Sequence, residues 1–215
     1  MRFIISLFLL VFLTSGCAKH RHDLLEGYKD LDLYKDGEFF HAKPCNREMG
    51  SYVGWPNALR EPKNGDYFVH GLLRSEHVYT FWRCEVLAFK QIGAVYGFMR
   101  GEPVYTAQDE KGYYLVWGAQ KTKPLGAIGF SWMISEHLGV PVYIAEKDGK
   151  GWVGYGLQLQ GPFDKILQGP VLDSETGEVK LLVQVDDVVM ELSIRKARFK
   201  ETEPNLRMLK KTEGI

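Results

Sequence analysis

A net charge is missing. Lys plus Arg and Asp plus Glu each number 27 among 215 residues, which leaves a formal charge of zero. A nucleic-acid binder draws affinity from an excess of cations over phosphates, so that class is disfavoured. Cysteine is scarce: Cys17, Cys45 and Cys84 are too few for a disulfide-rich scaffold. The apolar run over residues 3–13 falls well short of the roughly 20 residues a spanning helix needs. No stretch has the long helical periodicity of an α/β crossover, which argues against parallel-sheet folds.

Reactive motifs are missing too. There is no H-E-x-x-H, no G-x-G-x-x-G and no Walker loop, and the six histidines are scattered. Gly129-Phe130-Ser131-Trp132-Met133 holds half of a nucleophile elbow and lacks the second glycine. Ser131 suits the N-cap of a short helix better than a nucleophile. These absences predict no catalytic residue, no metal and no cofactor.

What is present begins with an address. Arg2, the short apolar run and the small residues after it read as an export signal over residues 1–16. Leu13-Thr14-Ser15-Gly16-Cys17 resembles the lipobox of bacterial lipoprotein precursors. That resemblance implies cleavage before Cys17 and acylation of its thiol, more than one chain being what stable anchoring needs. A residue other than Asp after the cysteine, here Ala18, implies sorting to the outer membrane, with the periplasmic side favoured. The alternative is a plain export signal with Cys17 incidental.

Export places Cys45 and Cys84 where a disulfide persists. With Cys17 lipidated, one pair remains, and a bridge between them closes a loop of about 40 residues. Residues 17–40 are rich in charge and read as the lipidated N-terminus and a tether. His20, His22 and Asp23 in that stretch are read as solvated residues, not as metal ligands.

Residues 41–201 read as one mainly β domain, antiparallel, barrel-like or sandwich-like, with a charged tail at 202–215. Residues 44–65 are broken by Pro and Gly and read as irregular. Strands are expected at 67–73, 78–89, 94–100, 103–107, 113–117, 142–146, 151–160, 165–167, 179–185 and 188–196. The run 78–89 is long for one strand and predicts a bend, with Val78, Thr80, Trp82 and Cys84 facing inward. Asp186-Asp187 predicts a two-residue hairpin turn, and residues 173–177 a second turn. One short helix is expected at 131–138, ended by Gly139, and a helical turn at 204–211. No internal repeat is apparent.

The candidate ligand residues are aromatic and amide side chains: Trp55, Tyr96, Trp117, Trp152, Tyr155 and Gln158. Aromatics interleaved with glycines line pockets and also fill ordinary β cores. Glu76, His77 and Arg83 form an alternative acid–base set, if the fold brings them together. The function expected is that of a non-enzymatic cell-envelope lipoprotein, held on the membrane, that binds a lipid, a glycan or an envelope protein. A periplasmic hydrolase and a purely structural envelope component are the alternatives.

Overall fold

The computed structural model describes residues 23–24, 31–45, 47, 49–195 and 205–208. The export signal, Cys17 and residues 196–204 lie outside this set. Among the described residues the structure is mainly β with one short helix, as the alternation predicts, and no sheet closes into a barrel. Twenty strands among the described residues form five successive four-stranded antiparallel units.

The first unit holds β1 (Asp23–Leu24), β2 (Leu31–Asp36), β3 (Phe39–Pro44) and β4 (Ser51–Val53). The second holds β5 (Asn57–Arg60), β6 (Tyr67–Arg74), β7 (His77–Trp82) and β8 (Glu85–Phe89). These two join through the pair Val53 and Leu73 into one eight-stranded sheet. The third is a separate sheet of β9 (Gln91–Met99), β10 (Glu102–Asp109), β11 (Gly112–Trp117) and β12 (Gln120–Lys121). The fourth comprises β13 (Ala127–Phe130), β14 (Val142–Lys147), β15 (Lys150–Tyr155) and β16 (Gln158–Phe163), with α1 (Trp132–Leu138) inserted after β13. The fifth comprises β17 (Lys165–Leu172), β18 (Val179–Val185), β19 (Val188–Ile194) and β20 (Asn205–Met208).

A repeat is therefore present where the sequence reading saw none. Each unit centres on a hairpin with a two-residue turn, at 37–38, 75–76, 110–111, 148–149 and 186–187. The turn residues vary, so the period is carried by geometry and not by identity. Ser75 and Glu76 both take positive φ, as do Asp148 and Gly149, the backbone form that matches the twist of a tight hairpin.

Four buried clusters occupy the junctions between consecutive units. Leu33, Phe40 and Tyr52 of the first unit meet Val69, Leu72 and Phe81 of the second. Phe68, Trp82 and Phe89 of the second meet Tyr105, Tyr114 and Val116 of the third. Val104 and Leu115 of the third meet Tyr143 and Ala145 of the fourth, while Val142 and Val153 of the fourth meet Leu181, Val183 and Leu192 of the fifth. Neighbouring residues on one strand, such as Val104 and Tyr105, thus enter different cores. Period-two alternation delivers this directly, because successive side chains leave opposite faces of a strand. Internal units are apolar on both faces, whereas β18 shows one core face and one half-solvated face.

Two expected strands are hairpins. Residues 78–89 do not bend; they reverse at Arg83 and Cys84, with Arg83 at φ 49°. The reversal moves Cys84 from the expected interior to an exposed turn. Residues 151–160 likewise turn after Tyr155, through Gly156 at φ 61°. Residues 44–65 contain two short strands, and 205–208 pair with β19 as a strand where a helical turn was expected. Strands β2 and β3 already occupy residues 31–44, across the boundary expected near 41.

The turn at 173–177 forms as expected. The Asp173 carboxylate accepts the amides of Glu175 and Thr176 and pairs with Lys180 Nζ at 2.6 Å. Lys180 and then those two amides pull its pKa down to about 2. An unfolded Asp titrates near 3.9, so the stability Asp173 lends is fully present above about pH 4 and is lost as pH falls through about 2. Denaturant titrations should show Asp173→Asn less stable than wild type at pH 7, with the difference gone by about pH 2.

Candidate functional site

A groove of about 410 Å³ opens at the junction of the second and third units. Trp82 reaches it from the end of β7 and Arg83 from the following turn; Glu102 opens β10, and Trp117, Gly118 and Gln120 close β11 and open β12. Glu102 Oε2 accepts a 2.6 Å hydrogen bond from Trp82 Nε1, and Oε1 accepts one from Arg83 Nη1 at 3.0 Å. Arg83 also pairs with Asp66, Nε to Oδ2 at 3.6 Å, and its guanidinium lies 4.8 Å from the Trp82 ring centre. Gly118, at φ 63°, has no side chain to collide with Glu102; a Cβ there would sit 2.5 Å from Oε2.

The result is a fixed carboxylate and a fixed guanidinium beside a half-buried indole. A carboxylate offers about four acceptor positions, and two bonds leave room for further donors. Trp117 is itself fixed, since Nε1 donates to Met99 O at 3.1 Å. Gln120 is exposed and brings both a donor and an acceptor.

A larger groove, about 560 Å³, runs between the fourth and fifth units. Ile128, Ile144, Ile166 and Leu167 give it apolar walls, and the pair Lys150–Asp164 closes one rim at 2.5 Å. Lys150 and the Asp186 amide hold the Asp164 carboxyl below the usual range. A Cβ on Gly151 would strike Ile166 at 2.8 Å, so glycine there sets the spacing of the two units.

The aromatic residues singled out from the sequence do not converge. Tyr96, Trp117 and Trp152 all pack against the cluster between the third and fourth units. Tyr96 lies 4.1 Å from the Phe130 ring, and Trp152 Nε1 donates to Lys147 O at 3.4 Å. Tyr155 packs into the last core, and Gln158 stands exposed across from it. Trp55 is in the loop after β4 and is 76 % exposed, whereas the other aromatics of the set are half-buried. Of this set only Trp117 lines the Glu102 groove.

Glu76 and His77 sit at the start of β7 and Arg83 just beyond its end, so the strand holds them apart. His77 Nδ1 bonds Ser75 O, and Glu76 pairs with Lys90 at 3.8 Å. Ser131 takes the N-cap position of α1, but its side chain makes no capping bond. Cys45 and Cys84 are joined, tying the end of β3 to the turn after β7. Among the described residues no group of three or more His, Cys, Asp or Glu could hold a metal ion.

Glu102 and Trp82 were not legible as site residues. Their partnership needs the register of the β9–β11 sheet and its stacking on β7, and neither appears in local sequence. The chain matches no protein-family model, and neither a characterised protein nor a solved structure is significantly similar to it.

Proposed function

We propose that this chain is a non-enzymatic lipoprotein of the bacterial outer membrane, anchored through Cys17 on the periplasmic side, whose groove around Glu102 binds a glycan. The observation that carries the ligand class is the Glu102–Arg83 pair fixed beside Trp117. Planar polar groups in set orientations recognise hydroxyls, and the electron-rich face of an indole accepts the apolar C–H face of a sugar ring. The volume falls inside the usual range for small-ligand sites, about 300–1,000 Å³. Support for the address comes from the lipobox-like segment and from the Cys45–Cys84 bridge, a bond typical of oxidising compartments. In fold terms we read the stack as a run of sandwich-like pairs in one domain. The larger groove between the fourth and fifth units favours a second reading, an envelope protein as partner.

Calorimetric titration with chitotriose and with maltotriose tests the glycan reading. Saturable binding is expected for at least one of them. Glu102→Gln removes a hydrogen bond to a charged acceptor, worth about 1.5–3 kcal/mol, and should weaken binding roughly tenfold or more. Gln120→Ala, on an exposed strand, should weaken it less and leave the fold intact. Absence of binding by both sugars, or equal binding by both variants, would overturn the reading.

A further inference from the structure

We infer that the hairpin tip of the first two units docks onto the lipid bilayer surface, with Trp55 and Phe39 as its interfacial anchors. The inference rests on the reading of Cys17 as the lipidated residue.

Four exposed apolar residues lie at this end of the first two units. Trp55 is 76 % exposed, Phe39 49 %, Val53 42 % and Leu73 42 %. The register makes three of them one row: Phe39 is opposite Val53, and Val53 opposite Leu73. Directly opposed residues in antiparallel strands share a face. Their sequence neighbours Phe40, Tyr52 and Leu72 point the other way into the first core. Trp55, in the loop beyond β4, stands at the same end but on the other face of the sheet, its ring 6.1 Å from Phe40 and 4.7 Å from Lys35 Nζ, so that the row and the indole bracket the tip from its two sides. A bulky aromatic with a lysine above it matches the chemistry of the membrane–water interface, where amphipathic rings and snorkelling lysines settle.

The covalent chain puts a membrane near this tip. In β1, Asp23 lies opposite Lys35, the residue whose amine covers Trp55. From Cys17 to Asp23 is six residues, and six residues reach at most about 22 Å when fully extended. A lipid on Cys17 therefore holds the Lys35 backbone within roughly that distance of the headgroups, less than the ~30 Å thickness of a bilayer's hydrocarbon core. The rest of the array is joined on behind the first unit, so the tip beside Lys35 is the part the tether brings closest.

Charge does not drive the contact. Lys35 and Arg74 at the tip and Lys90, which pairs with Glu76, are balanced in number by Asp36, Glu38 and Glu76. Docking is therefore apolar and interfacial, and it should be insensitive to anionic lipid and to salt.

The test uses the full-length lipidated protein in phosphatidylcholine vesicles, with and without phosphatidylglycerol. Brominated phosphatidylcholine should quench tryptophan emission, and acrylamide should quench less than in the same chain made without lipid as Cys17→Ser. Trp55→Ala should abolish most of the bromolipid quenching, and Phe39→Ser should reduce it; both positions are open enough to leave the fold intact. Equal effects are expected with either lipid composition. Bromolipid quenching unchanged by Trp55→Ala, or Trp55 equally open to acrylamide in both proteins, would overturn the docking. So would a concentration-dependent dimer of the Cys17→Ser chain that shields Trp55 without vesicles, because the patch then belongs to a second copy. Mass spectrometry of Cys17 separates the two levels: an acylated Cys17 with an open Trp55 sinks the docking alone, and an unmodified Cys17 sinks the anchor as well.

Discussion

Reducing the Cys45–Cys84 bridge is expected to lower the unfolding free energy by about 4 kcal/mol, the chain-entropy value for a loop of roughly 40 residues. The two Cα atoms stand 5.4 Å apart, in the middle of the range that bridged cysteines adopt. The bond links the residue just after β3 to the turn between β7 and β8, and so fastens the first unit to the second. The first is a terminal unit and, like the fifth, shares a single buried cluster, whereas the second, third and fourth units each share two. In stacked repeats stability is close to a sum of unit and junction terms, so the loss should be local. Urea unfolding with and without reductant, or of Cys84→Ser, should show a new early transition. Hydrogen exchange should assign it to β2–β4 and leave the last three units protected. A single transition shifted uniformly, or no shift at all, would show that the bridge does not bear on that junction.

The second large effect is expected at Gly154. It pairs across β14 and β15 with Tyr143, and a Cβ at this position would lie 2.0 Å from the Tyr143 ring. Tyr143 is fully buried among Met99, Val104, Leu115 and Leu125, so its ring has no room to swing away. Burial also pushes its hydroxyl pKa up, and the hydroxyl finds no hydrogen-bond partner among the described residues. Overpacking a well-filled core costs about 1–3 kcal/mol, and with the Tyr143 ring hemmed in by the core around it Gly154→Ala should reach the top of that range. Joining it with Tyr143→Leu should recover part of the loss, since residues in contact do not add independently. Chemical denaturation of the four proteins checks the cycle. Gly154→Ala as stable as wild type would mean that the third and fourth units are less tightly joined than the structure shows.

How much of this was legible follows from where the information lies. The hairpin of β18 and β19 could be read residue by residue, because one face is core and the other half-solvated, so alternation is clean. Units with two buried faces hide that signal. In β10 and β11, Val104, Tyr105, Leu115 and Val116 are all buried, and the pattern looks like a plain apolar run. Runs 78–89 and 151–160 were merged for a related reason. Their turns use Arg83-Cys84 and Gly156-Leu157, and neither pair carries the Asn-Gly or Asp-Gly signature of a tight hairpin. The bridge of Cys45 to Cys84 was readable once Cys17 was read as the lipidated residue, which leaves one pair. The Glu102 groove was not, since it joins residues 82, 102 and 117 through stacking. Trp55 was visible as an unusual loop tryptophan, but the row of Phe39, Val53 and Leu73 beside it depends on register.

The measurement that bears most directly on the whole account is intact mass analysis of the chain from its native cell, after separating membranes from cytosol. The account expects a mature polypeptide in the membrane fraction that starts at position 17 and carries fatty acyl groups there. An unmodified chain that begins at Met1 and is recovered from the cytosol would contradict it.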